Sequence, residues 1–142
     1  MRSLFALASR PNECRPEYQC DRFVGSHIGM SERISAGKQI AEAVTAWPGV
    51  ERGPHRFGGI EFRLGKRELG HLHGDALVDL PFPRKVRDEL IAAGRARAHH
   101  VLPDSGWVSF WIESPEDVEH AIALFRLAYD RAVAARARAD FA

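Results

Sequence analysis

The sequence predicts a single α+β domain in which an antiparallel sheet of about five to six strands carries helices on one face. The length of 142 residues fits one domain, because domains commonly span about 100–200 residues. Short segments that alternate apolar and polar residues follow one another across tight turns, which is typical of antiparallel hairpins. Segments with helical periodicity stand before, between and after these strands, so the helices can cover one face of the sheet.

The chain is predicted to begin with a poorly structured tail over residues 1–29, followed by the domain over residues 30–142. The tail mixes Pro, Gly and charged residues without a helix or strand period. Gly25-Ser26-His27 resembles the remnant of an expression tag, in which case Met30 would be the natural start.

The first half of the domain is predicted to contain one helix and four strands. A helical period begins near Ser31 and ends at Pro48-Gly49, a pair of residues that stops helices. Ile60–Leu64 and Arg67–His73 flank the Gly65-Lys66 turn and predict a hairpin. The other two predicted strands are Val50–Arg56 and Ala76–Leu80.

The second half adds a helix, two strands and a long final helix. The helix is predicted over Arg84–Ala93, and the strands over Arg97–Leu102 and Trp107–Glu113. Ser114 and the proline after it are typical first residues of a helix, which is predicted to run to about Arg138. Its predicted buried stripe is Val118, Ile122, Phe125, Tyr129 and Val133.

Composition and charge argue against several classes of function. The net charge is +1, so no overall field attracts the chain to nucleic acid, and nucleic-acid binding is not expected. No apolar run approaches the roughly 18 residues that cross a bilayer. The apolar stretch among the first residues is too short for the core of a signal peptide. Cys14 and Cys20 are expected to be free thiols rather than a disulfide or half of a metal site. We therefore predict a soluble, cytoplasmic protein with no membrane partner.

Four histidines in two groups are the strongest candidates for a functional site. His71 and His73 lie two positions apart on a predicted strand, so both face the same side of the sheet. His99 and His100 are adjacent on another predicted strand, so only one of them is expected to join the first pair. Three interpretations remain open: structural side chains bonded to sheet neighbours, acid–base or ligand-binding groups, and metal ligands. No carboxylate has the diagnostic spacing of a two-histidine, one-carboxylate site. The candidate acidic residues are Glu68 and Asp75.

The strand that begins at Trp107 supplies a second candidate surface. Trp107, Ser109 and Trp111 share one face of this strand, and aliphatic residues share the other. The aliphatic face is expected to pack on the helices, which leaves two tryptophans on the opposite side of the sheet. Because exposed tryptophan side chains are unfavourable, we expect another group to cover them. That cover could be the N-terminal tail, the partner of a homodimer or a flat aromatic ligand. Arg63 could bind an anionic group of such a ligand, although a cross-strand ion pair is the commoner role.

Several blocks of the sequence resemble the luciferase domain family, a set of small bacterial proteins that share a domain with fungal luciferases. The most specific blocks are Gly70-His71-Leu72-His73 and His99-His100, the latter followed by Ser105-Gly106-Trp107. The resemblance extends over about residues 34–133. It also includes Asp79-Leu80-Pro81-Phe82-Pro83, Glu116-Asp117-Val118 and Leu124-Phe125-Arg126-Leu127-Ala128-Tyr129.

The resemblance implies a shared pocket of His71, His73, His99 and Trp107. In the fungal enzymes the implied chemistry is oxygenation of a hydroxy-pyrone, with no metal, flavin or ATP known to be required. A histidine would remove a phenol or enol proton, and the electron-rich anion would react with O₂. The presence of a domain shared with these enzymes does not imply that this protein has the same substrate or emits light. The layout of helices and sheet is also similar to that of the YjbR/MmcQ-like proteins, a group suspected of binding DNA.

These observations together predict a small-molecule-binding domain, an oxygenase-like enzyme that acts on a planar phenolic or pyrone-type compound without a cofactor or metal. The alternatives are a nucleic-acid-binding module and a non-catalytic homodimer. The predicted catalytic residues are His71, His73 and His99. The predicted ligand-binding residues are Arg63, Trp107, Ser109 and Trp111.

Overall fold

Three helices and six strands form in residues 33–142, the part of the chain that the computed structural model describes. The predictions for residues 1–29, Met30 and the two cysteines lie outside these described residues. The elements are α1 (Ala36–Thr45), β1 (Val50–Pro54), β2 (Ile60–Leu64), β3 (Arg67–His73), β4 (Leu77–Pro81), α2 (Arg84–Ala92), β5 (Arg97–Ala98), β6 (Trp107–Trp111) and α3 (Glu116–Asp140).

The six strands form one sheet in the order β1-β2-β3-β4-β6-β5, and every neighbouring pair is antiparallel. The predicted α+β class and antiparallel sheet are therefore confirmed. Tight turns join β1 to β4 in sequence order, whereas α2 carries the chain from β4 to the sheet edge, where β5 pairs with β6. This connection brings β6 beside β4.

One face of the sheet and all three helices enclose a single apolar core. The rings of Phe62 on β2 and Phe125 on α3 meet edge to face with centroids 5.2 Å apart, and both side chains are fully buried. Ile40 of α1, Leu90 of α2 and Val108 of β6 belong to the same core. Removal of this apolar surface from water is the main stabilising contribution to the fold.

The helices differ in detail from the predicted ones because local hydrogen bonds decide where they begin. The Oγ atom of Ser35 accepts the N–H of Lys38, so α1 begins at Ala36 and not near Ser31. Ser114 does not cap α3 with its side chain. Instead, the carboxylate of Asp117 accepts the backbone N–H groups of Glu113 and Ser114, both at 2.9 Å.

Two further predictions were wrong, one about the length of a strand and one about the burial of a side chain. The strand expected over Arg97–Leu102 is only β5, because the chain after Ala98 folds back on the ring of His99. Val133 is exposed, since the buried ridge of α3 continues from Tyr129 to Ala132.

The sheet face opposite the helices is polar at its centre, and we call it the polar face. His71 of β3 pairs in register with Asp79 of β4, which in turn pairs with Ser109 of β6. Residues that pair across antiparallel strands point to the same side, so these three side chains form a row across the sheet. Trp107 and Trp111 flank Ser109 on the same face, as predicted.

Candidate functional site

The carboxylate of Asp79 lies at the centre of the polar face. Its neighbours along β4, Val78 and Leu80, point into the apolar core, so strand alternation directs Asp79 to the other side. The residue is 0% exposed, and its Oδ1 atom accepts the hydroxyl of Ser109 at 2.5 Å. Burial favours the neutral acid, but hydrogen bonds from His71 and Ser109 outweigh it and lower the pKa of Asp79 to about 2. The group is therefore a buried anion that needs cationic or hydrogen-bonding neighbours.

His71 lies between two carboxylates. Its Nδ1 atom is 2.8 Å from Glu68, and its Nε2 atom is 3.4 Å from Asp79. Burial opposes the charged imidazolium, but these hydrogen-bonding carboxylates outweigh it and raise the pKa of His71 to about 9. The ring of His55 stacks on that of His71 with centroids 3.9 Å apart. With both nitrogens engaged, His71 provides positive charge rather than a free base.

His73 approaches the same carboxylate from a more accessible position. Its Nε2 atom lies 3.2 Å from Oδ2 of Asp79, and its side chain is 31% exposed. Burial and the positive charge of His71 together lower the pKa of His73. This imidazole is therefore neutral near pH 7, and the site contains a charged and a neutral histidine side by side.

His99 and His100 both reach Asp79, so the prediction that only one of them joins the first pair was wrong. Their nearest nitrogens lie 3.5 and 3.6 Å from the carboxylate oxygens, and the two rings stack with centroids 4.6 Å apart. The alternation rule fails here because both residues follow the end of β5. The backbone N–H of His100 donates to the hydroxyl oxygen of Ser109 at 3.3 Å, and its ring Nδ1 lies 3.1 Å from the same oxygen, beside the carboxylate.

The hydrogen bonds of His99 fix its tautomer. Its Nδ1 atom accepts the backbone N–H groups of Val101 and Leu102 at 3.2 and 3.0 Å. The ring hydrogen of neutral His99 therefore lies on Nε2, which faces Asp79. Burial is the largest influence on this ring and lowers the pKa of His99. His99 is thus a hydrogen-bond donor to the central carboxylate.

Both tryptophans of β6 border this cluster. The ring of Trp107 lies 5.3 Å from that of His71, and the ring of Trp111 lies 6.1 Å from that of His100. Trp111 is 38% exposed, whereas Ser109 between them is fully buried against Asp79. The polar face thus presents aromatic surface on either side of a charged centre.

Arg63, a predicted ligand-binding residue, does not join this group. It is exposed and pairs with Glu61 on its own strand at 3.3 Å. A second bond runs from its guanidinium to the backbone oxygen of Lys66. Within the described residues, no hydrogen bond or ion pair connects Arg63 to the histidines, and the predicted cross-strand pair is a pair along one strand.

Three residues of the site were not among the predicted site residues: Asp79, His55 and His100. An acidic residue between Val78 and Leu80 in an apolar strand is a signal that could have identified Asp79, because a charge in such a segment needs a buried partner. His55 stands alone in a loop and gives no such signal. Asp75, a predicted candidate, lies elsewhere and accepts the N–H of Gly37 in α1.

The fold and the site define a small α+β domain with a buried aspartate surrounded by histidines on one face of its sheet. The model of the Luciferase domain family matches residues 66–128, a range that runs from β3 into α3. Over this range the chain is similar to the Luciferase domain family, and the predicted resemblance is confirmed. The matched range contains His71, His73, Asp79, His99 and Trp107. No curated protein and no solved structure gave a significant match.

None of the helices in residues 33–142 combines the length and the apolar character that a membrane crossing needs.

Proposed function

We propose that this domain is a small-molecule enzyme of oxygenase-like type that binds a planar phenolic or pyrone-type compound at the polar face. The observation that carries the proposal is the cluster of four histidines on one buried carboxylate, bordered by two tryptophans. A buried charged cluster is costly for stability, so its presence in a small domain favours a functional role.

The tryptophans argue for a flat aromatic ligand. A planar ring can stack on or pack edge to face against indole, and such contacts contribute about 0.5–1.5 kcal/mol beyond the burial of area. Trp107 and Trp111 lie on either side of Ser109, so a ring held between them would reach the histidine cluster. The match to the Luciferase domain family covers Trp107, Trp111 and the histidines of the cluster.

The histidines argue for a ligand with an acidic hydroxyl group. The cluster contains an imidazole that is neutral and one that carries a charge, so it can accept a proton and stabilise the resulting anion. An enolate formed in this way can add O₂ at carbon: its electron pair forms the C–O bond, O₂ is reduced to a peroxide anion, and the proton returns to give a hydroperoxide.

The test is a titration of the full chain with planar phenols and hydroxy-pyrones, followed by tryptophan fluorescence. We expect saturable quenching by at least one compound and loss of that quenching in a Trp107→Phe, Trp111→Phe double variant. Trp47→Phe is the matched control, because Trp47 packs against Tyr129 and lies outside the cluster. For a compound that binds, O₂ consumption and product mass then report turnover.

Three results would contradict the proposal. Absence of quenching by every compound would contradict the binding of a planar phenol or pyrone at the polar face. A rise in mass with protein concentration that protects the tryptophans would assign the polar face to a homodimer. Binding to DNA that weakens with salt would indicate a nucleic-acid module instead.

A further inference from the structure

Three imidazole nitrogens converge on a single oxygen of Asp79. The Nε2 atoms of His73, His71 and His99 lie 3.2, 3.4 and 3.5 Å from Oδ2. A carboxylate oxygen offers about two lone-pair sites, so three N–H groups cannot all bond to it with good geometry. Hydrogen bonding alone therefore leaves the convergence unexplained.

Two of the separations in the group of His71, His73 and Asp79 match those of atoms that share a metal ion. Donor atoms that are each about 2.1 Å from one ion lie roughly 3.0–3.4 Å apart in octahedral or tetrahedral geometry. The two nitrogens lie 3.4 and 3.2 Å from Oδ2 of Asp79, and the three donor atoms all lie within 4.8 Å of one another. Two imidazoles and one carboxylate are a donor set typical of non-haem iron(II).

The surrounding groups orient these side chains as outer-shell groups orient metal ligands. Metal-binding histidines commonly donate their second ring N–H to a carboxylate, and Nδ1 of His71 lies 2.8 Å from Glu68. The second oxygen of Asp79 accepts the hydroxyl of Ser109 at 2.5 Å. His99 is an outer-shell donor and not a ligand, because its tautomer places the hydrogen on the nitrogen that faces Asp79.

We infer that His71, His73 and Asp79 form a binding site for a divalent first-row transition metal ion, of which iron(II) fits the donor set best. His73 is partly exposed, so an ion can reach the site from the solvent side of the polar face. Three protein ligands leave further coordination positions free for water or for an oxygen of a ligand.

This inference rests on the proposed function and deepens it. If the ion binds, Nε2 of His71 and Nε2 of His73 would hold metal, so the ion would replace the neutral imidazole of His73 as the group that favours loss of the phenol or enol proton. Glu68 would still accept the hydrogen on Nδ1 of His71. The charge of the ion then stabilises the anionic oxygen of the phenol or enol beside Trp107, whose ring is 5.3 Å from that of His71. The predicted absence of a metal is the part of the sequence-based hypothesis that this inference replaces.

The experiment measures binding of Zn²⁺ and Co²⁺ to the full chain after treatment with EDTA. The protein carries Cys14→Ser and Cys20→Ser, so that thiols of the tail do not bind the probe. We expect one ion per chain by calorimetry, a visible absorption band with Co²⁺, and a higher unfolding temperature with Zn²⁺. His73→Gln and Asp79→Asn should each weaken binding at least 10-fold, and Glu68→Gln should weaken it about 10-fold.

One matched variant controls for nonspecific binding by histidine. His120→Gln removes an exposed histidine on α3 and should keep wild-type affinity within about twofold. His55→Gln tests a neighbouring group of possible ligands, because the ring of His55 stacks on that of His71. Absence of binding, or binding that survives His73→Gln and Asp79→Asn in folded protein, would overturn the inference. The inference would also be wrong if His55→Gln lost metal binding while His73→Gln and Asp79→Asn retained it. That result would assign the ion to His55, Glu68 and His71.

The phenol titration, repeated with EDTA and with Zn²⁺, separates the two proposals. Quenching that is equal in both, together with no metal binding, leaves the ligand pocket standing and contradicts the metal site. One bound metal ion without any phenol binding supports the metal site and contradicts the proposed function.

Discussion

Neighbouring residues of the same strand are buried in different surroundings on the two faces of the sheet. Leu80 and Asp79 are adjacent on β4, and both are 0% exposed. Leu80 is buried among apolar side chains of the helix-covered core, whereas Asp79 is buried among histidines and a serine. Burial on the first face stabilises the fold, while burial of a charge on the second has a desolvation cost that its partners must offset. We therefore expect the core face to determine stability and the polar face to determine binding.

The largest expected effect is on the core face. Phe125→Ala removes a fully buried ring that packs on Phe62, and the remaining cavity adds to the lost burial. The free energy of unfolding should fall by about 3–5 kcal/mol. Urea unfolding followed by circular dichroism measures it. A loss below about 1 kcal/mol would mean that this face does not dominate stability.

A smaller effect is expected at Gly70 of β3, which packs closely against β4 and α3. Its φ of 150° is rare for other residues, and an added Cβ would lie 2.7 Å from the backbone oxygen of Asp79 and 2.9 Å from the ring of Phe125. Gly70→Ala should lower the free energy of unfolding by about 1–3 kcal/mol. The same unfolding assay checks it, with Gly58→Ala as a control that meets no atom within 4 Å at a similarly positive φ. Equal losses in both variants would assign the effect to backbone strain alone.

The smallest effect on stability is expected on the polar face. His73→Gln keeps a polar side chain at a partly exposed position, so the free energy of unfolding should change by about 0.5 kcal/mol or less. Equilibrium unfolding in urea, without added metal or ligand, measures this. A loss of several kcal/mol would show that the histidines are structural.

The fold was predictable because its signals are local. The hairpin of Ile60–Leu64 and Arg67–His73 follows from alternation and a tight turn, and α2 follows from its period. The end of β5 was not predictable, because it depends on backbone N–H groups bonding to the ring of His99. The alternation of side chains along a strand does not apply to His100, because β5 ends at Ala98. The prediction that only one of the two adjacent histidines joins the cluster was therefore wrong.

The site was only partly predictable because its centre depends on contacts across strands. His71 and His73 could be paired from their spacing, and Trp107, Ser109 and Trp111 from theirs. Asp79 gains its partners from β3, from β6 and from the segment after β5, and no sequence spacing encodes that arrangement. Arg63 shares the alternation of its strand but satisfies its charge with Glu61.

The most direct test compares two adjacent residues, using Asp79→Asn and Leu80→Ala in parallel. For each variant, the unfolding free energy in urea and the affinity for a quenching phenol are measured on the same preparation. The account predicts that Asp79→Asn abolishes binding and lowers the free energy of unfolding by about 1–3 kcal/mol, since the amide still offers an acceptor to Ser109 but His71 loses one of its two carboxylates. It predicts that Leu80→Ala costs about 2–5 kcal/mol and leaves the affinity of the folded protein unchanged. If Asp79→Asn instead destabilises the protein as strongly as Leu80→Ala and the folded fraction still binds the phenol, the polar face is a second structural core and the central claim is wrong.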